Sequence, residues 1–164
     1  MARHVAASVL AAIAVIVVAI LCRTYFFPSD ESRITHRLEQ LADDVTRSSA
    51  DAPGGLARTA RMATYFTEDV VVEPGEGVEP IRGRDALMAL STSLRGSGGT
   101  LRAAVTDVHV KLLSETAADV TLTATVEKSA GGAQPSLDAR EFALQMVRQG
   151  TWRIARVTAV DTLR

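Results

Sequence analysis

Asp107 and His109 are the residues of this sequence whose types and spacing most directly suggest chemistry. They lie two positions apart in a run that reads as a strand, Leu101 to Leu113, and strand alternation would turn both side chains to one face. A carboxylate beside an imidazole can polarise a proton donor or help hold a metal ion. The other histidines, His4 and His36, fall outside this run and the one cysteine is Cys22, so a metal would lack ligands. A surface pair is the expected reading, with no metal bound. No hydrolase triad or cofactor fingerprint is visible, and Gly96-Ser97-Gly98-Gly99 lacks the following helix and lysine that a phosphate cradle needs. No cofactor is expected, and a single cysteine excludes a disulfide within the chain.

The elements that would position such residues follow from periodicity. Pro28-Ser29 supplies an N-cap, after which Ile34, Leu38, Leu41 and Val45 recur at helical spacing. Asp51-Ala52-Pro53-Gly54-Gly55 breaks the chain, and Leu56, Ala60, Ala63 and Phe66 mark a second helix. Asp69 to Glu73 and Val78 to Ile81 read as a small hairpin around Pro74-Gly75-Glu76-Gly77. Gly83 opens a third helix with Leu87, Leu90 and Leu94 on one face. Four long strands are then predicted, near 101–113, 118–128, 138–148 and 151–163. Alternation is clearest in Val120, Leu122, Ala124 and Val126 against Thr121, Thr123 and Thr125. A Gly-containing loop from Ser129 to Ser136 and a tight turn at Gln149-Gly150 make these strands an antiparallel meander.

Val5 to Cys22 is an 18-residue stretch with neither charge nor proline, and Tyr25-Phe26-Phe27 follow it as an aromatic anchor. The expected organisation is a transmembrane signal anchor over residues 1–27 and a domain over residues 28–164. A cleaved signal peptide competes, but Arg23-Thr24-Tyr25 offers no small-x-small cleavage pattern. Arg23, Arg33 and Arg37 after the run would by charge alone hold the domain in the cytoplasm. A short N-terminal tail before a first hydrophobic run favours export, hence a single-pass protein with an extracytoplasmic, periplasmic domain. Of the 18 Lys and Arg, Arg3 and Arg23 precede Pro28, leaving 16 against 19 Asp and Glu with no basic cluster, so nucleic acid is not an expected partner.

Three short segments, Tyr65-Phe66-Thr67-Glu68-Asp69-Val70-Val71-Val72, Ile81-Arg82-Gly83-Arg84-Asp85-Ala86-Leu87 and Gly150-Thr151-Trp152-Arg153-Ile154, occur here in the order in which the nuclear transport factor 2-like superfamily carries them. The chain resembles that superfamily over about residues 30–164, and its SnoaL-like branch in particular. The resemblance implies an α+β fold, a cone-shaped roll of curved antiparallel sheet packed on three helices, here preceded by one transmembrane helix. It implies nothing single about function, because members include isomerases, cyclases, dehydratases, ring-hydroxylase subunits and non-catalytic binding domains.

In members that act as isomerases, a carboxylate inside the cone moves a proton, which needs a buried acid of shifted pKa. Glu73, Asp107, Glu141 and Tyr65 are the candidates in this sequence, matched to no catalytic set of the family, each with a plain alternative as a strand-edge charge or core-edge tyrosine. Phe66, Phe142, Met146 and Trp152 are expected to line the pocket. The resemblance makes the threonine face of Thr121, Thr123 and Thr125, extended by Arg140 and Arg148, a candidate homodimer surface on the outer sheet, and a plain solvated face is the alternative. The leading expectation is non-catalytic binding of a small apolar molecule or a protein partner. Proton-transfer catalysis on a small hydrophobic substrate and a role as assembly subunit of an envelope complex are the alternatives.

Overall fold

The computed structural model describes residues 29–48, 55–95, 100–129 and 136–160, and the apolar run at 5–22 lies outside them. No helix among the described residues is long and apolar enough to cross a membrane. The chain divides into two compact units, Met1–Arg33 and Ile34–Arg164. In the first, Ser29 caps helix α1 (Asp30–Ser48): its hydroxyl accepts from Ser32 N at 3.2 Å, and its carbonyl from Arg33 N at 3.0 Å. Asp30 and Glu31 place negative charge in the first turn, where the helix dipole favours it.

In the second unit α1 buries Ile34, Leu38 and Ala42, as its helical spacing requires. Helix α2 (Gly55–Ala63) buries Met62, whereas Ala60, predicted to face inward, is exposed. Strand β1 (Phe66–Glu73) begins three residues earlier than the sequence suggests, and β2 is only the two-residue Ile81–Arg82. Gly83, at φ +86, turns β2 into helix α3 (Arg84–Arg95), and its amide donates to Val70 O at 2.8 Å. A side chain there would strain a left-handed backbone. On α3, Met88 is the buried residue and Leu90 is exposed.

Four long strands complete the chain: β3 (Thr100–Leu112), β4 (Ala117–Ser129), β5 (Ser136–Gln149) and β6 (Thr151–Val160). The six-stranded sheet has the order β2-β1-β6-β5-β4-β3. β3 through β6 form the antiparallel meander that was expected. The sheet as a whole is mixed, because β6 runs parallel to β1, with Phe66 beside Ile154 and Val72 beside Val157. A wholly antiparallel roll is therefore corrected. Register breaks in β1, β3 and β6 bend the curved sheet.

One face of the sheet joins the core with Val120, Leu122, Leu144, Met146, Trp152 and Ile154, against Ile34 and Leu38 of α1, Met62 of α2 and Met88 of α3. At the free edge of β3 the Thr46 hydroxyl of α1 accepts from Ala103 N at 2.8 Å and donates to Ala103 O at 3.1 Å. This occupies edge backbone groups that would otherwise template pairing with another chain.

Candidate functional site

Residues directly opposed on antiparallel strands share a face, so the register assigns every candidate to a side of the sheet. Val120 pairs with Leu144 and Leu122 with Phe142, all on the helix-covered inner face. Thr123 pairs with Glu141, and Thr121 with both His109 and Ala143. Ala143 in turn opposes Thr158, which pairs with Glu73. His109, Glu141 and Glu73 therefore stand on the outer face. From His109 to Glu73 is four strand steps, ~19 Å at ~4.8 Å each, so they form no common site.

Glu73 is engaged: Arg156 Nη1 lies 2.6 Å from its Oε1, and the Thr158 hydroxyl donates to its Oε2 at 2.9 Å. Glu141 is exposed. Asp107 sits in a bulge, where Asp107 and Val108 together oppose Leu122 between the pairs Thr106–Thr123 and His109–Thr121. Its φ of +51° is left-handed, a conformation that a short polar side chain tolerates. The bulge shifts the alternation. Leu101, Ala103 and Val105 are the less exposed residues before it and Val108 and Val110 after it, so a two-residue spacing does not make Asp107 and His109 equivalent. Both are exposed, and among the described residues no hydrogen bond or ion pair joins them.

Tyr65 has a different setting. Its ring is 5% exposed, Arg37 lies over it at 4.5 Å, and its hydroxyl donates to Asp44 Oδ2 at 2.8 Å. Arg61 approaches Asp44 Oδ1 at 3.7 Å. Burial, the hydrogen bond and the negative charge of Asp44 together raise the phenol to about 12, against the opposing pull of Arg37 and Arg61. These groups line a cleft of about 500 Å³ that α1 shares with the end of α2 and the turn into β1. Periodicity marked α1 only by its apolar stripe. Arg37 and Asp44 lie on its other faces, and the signal that could have found them is their seven-residue spacing, two turns apart.

The residues expected to line a pocket all reach the inner face. Phe66, Met146 and Trp152 are buried members of the core cluster, and Phe142 is half-buried against it. Along β4 the inner face changes with position: Ala118, Val120 and Leu122 are 5% exposed or less, while Ala124 and Val126 are half-buried. Val126 opposes Asp138 and Ala124 opposes Arg140. Arg140 thus belongs to the inner face, where it pairs with Asp138 at 3.3 Å, and does not extend the threonine face. Arg148 shares that parity and likewise lies off the threonine face.

Residues 55–158, more than half of the sequence, match the SnoaL-like domain family. The chain belongs to that family. Solved structures agree with the SnoaL-like assignment. A "Putative Scytalone Dehydratase" from Novosphingobium aromaticivorans superposes with a TM-score of 0.67 at 16% identity, over 80% of this chain and 83% of that one. A "putative dehydratase from the NTF2-like family" of Streptomyces avermitilis gives 0.66 at 12% identity, over 82% and 98%. The β subunit of a "putative aromatic-ring-hydroxylating dioxygenase" from N. aromaticivorans gives 0.63 at 14% identity, over 82% and 90%. At these identities the likeness is one of fold. Among curated protein sequences none matches. The SnoaL-like match covers α2 through most of β6, the elements that carry the inner face.

Proposed function

We propose that this SnoaL-like domain binds a small apolar molecule at the half-open end of its inner face, without catalysis, while tethered to a membrane through residues 5–22 on the extracytoplasmic side. The observation that carries the reading is the division of the sheet. Its inner face stays apolar along β4 as burial relaxes from Leu122 to Val126, while Glu73 and Glu141 stand on the outer face and Asp107 is exposed in its bulge. Half-buried Ala124, Val126 and Phe142 offer apolar surface, and the Arg140–Asp138 pair supplies a polar rim, the make-up of a small-molecule site.

Titration of the full chain with a neutral polarity-sensitive dye such as Nile red tests this. Saturable fluorescence that Ala124→Trp abolishes, with the fold retained by circular dichroism, supports it. Binding unchanged in that variant would place the dye elsewhere and sink the reading. Deleting residues 1–27 should release the protein from the membrane fraction, and a truncated chain that still pellets would remove the tether from the proposal.

A second reading is proton-transfer catalysis. Relatives in fold carry dehydratase names, and Tyr65 hydrogen-bonded to Asp44 beside two arginines is the one candidate found in a cluster of ionisable groups. Turnover of a small hydrophobic substrate that disappears in Tyr65→Phe but survives Glu73→Gln and Glu141→Gln would favour it. A homodimer through the outer face is the partner reading that the rows of small residues Ala104–Thr125–Ala139 fit, and sedimentation tests it.

A further inference from the structure

The cleft beside Tyr65 has an unanswered charge. Asp44 is met by the Tyr65 hydroxyl at 2.8 Å and by Arg61 at 3.7 Å, and Asp43 is met by Arg47 at 3.3 Å. Arg37 has no carboxylate partner among the described residues. Its Nη2 donates to Thr64 O at 2.9 Å and its Nε to Trp152 O at 3.2 Å, which aim and immobilise the guanidinium over the Tyr65 ring. Carbonyl oxygens orient a cation without neutralising it, so a half-buried arginine held this way leaves about one positive charge facing the cleft.

We infer that this cleft is a binding site for a small monoanionic organic carboxylate, with Arg37 as its principal contact and Arg61 at its mouth. The void of about 500 Å³ is of small-molecule size. A planar carboxylate suits the fixed fork of a guanidinium, and Arg37 is already ordered, so little side-chain freedom is lost on binding. The balance of charge selects the class. Three arginines against Asp43 and Asp44 leave one net positive charge, which matches a monoanion, whereas a dianionic phosphate would also be repelled by the two aspartates. The site is separate from the apolar one, because α1 turns Ile34 and Leu38 into the core and Arg37 and Asp44 into the cleft. Either can fail without the other.

Isothermal titration calorimetry of the full chain with sodium benzoate, and separately with inorganic phosphate, tests the inference at an ionic strength held constant with sodium chloride. The expected result is one saturable benzoate site, at least tenfold weaker in Arg37→Lys and in Arg61→Glu, with phosphate binding more weakly than benzoate. Arg61 is two-thirds exposed, so Arg61→Glu keeps the fold and decides the matter if Arg37→Lys does not fold. Absence of saturable benzoate heat, undiminished benzoate affinity in folded Arg61→Glu, or phosphate binding tighter than benzoate would each overturn it.

Discussion

The two faces of the long strands differ more from each other than the strands differ among themselves. On β4, Val120 and Leu122 are almost fully buried while their neighbours Thr121 and Thr123 meet the outside. On β5, Leu144 and Met146 belong to the core while Glu141 is exposed. On β6, Trp152 and Ile154 belong to the core while Arg156 and Thr158 hold Glu73 outside. One strand therefore serves both the packed core and the polar exterior, and parity decides which a residue faces, except that on β6 the extra residue Ala155 reverses the alternation between Ile154 and Arg156. A carboxylate whose side chain leaves the outer face cannot reach a ligand held on the inner one.

The largest effect expected is on the inner face. Trp152→Ala removes a side chain only 4% exposed, beside the β5–β6 turn, and should cost ~3–5 kcal/mol in denaturant unfolding. A loss below ~1 kcal/mol would mean that the inner face is not the stability core. Next comes the graded burial along β4. Leu122→Ala should cost ~2–5 kcal/mol, and Val126→Ala, on the half-buried end, less than ~1 kcal/mol. Equal losses would show that the two ends are equally sealed and would remove the basis for placing a ligand there.

How much of this division the sequence discloses depends on the range over which it is encoded. Alternation along β4 and the turn at Gln149-Gly150 are local, and both appear as read. The parallel β1–β6 pair joins Phe66 to Ile154 across 88 positions, and no local pattern announces it. The Asp107 bulge is equally silent, since one extra residue shifts every later parity while leaving the apolar content of the strand unchanged. Arg140 escapes the local pattern for a related reason: it lies in the exposed first part of β5, before the buried Leu144 and Met146 fix the phase. That Phe66, Phe142, Met146 and Trp152 reach the inner face is legible because large apolar residues have few other places to go. Arg37 and Asp44 are not, because a charged residue on an amphipathic helix ordinarily faces water.

At the boundary of the inner face Tyr65 links the two environments, and its removal should have a middling effect. Tyr65→Phe leaves the low-exposure carboxylate of Asp44 without its hydroxyl donor, so ~1–3 kcal/mol of stability should go. The same group makes a pH prediction. A phenol raised to about 12 in the folded protein, from 10.0, favours folding fully below pH 10. That contribution disappears as pH climbs from 10 to 12, because the unfolded chain then loses its proton first. Denaturation midpoints of the wild type should therefore fall over that window more steeply than those of Tyr65→Phe. Parallel curves would remove Tyr65 from the account of alkaline stability.

The smallest effect belongs to the outer face. Glu73 makes the shortest ion pair described, 2.6 Å to Arg156, and a second bond to Thr158, yet the two charged side chains are 35% and 44% exposed. Water and salt screen such a pair, and ordering two long side chains offsets much of the attraction, so Glu73→Gln should cost no more than ~1 kcal/mol. Repeating the measurement in 1 M salt should shrink the difference, since the Debye length falls to roughly 3 Å there. A double-mutant cycle with Arg156→Gln isolates the pair from other changes at either residue. A coupling above ~2 kcal/mol that persists in high salt would mean that Glu73 is enclosed, for instance by a second copy of the chain over the outer face. The contrast between the two faces would then hold only for the isolated protomer.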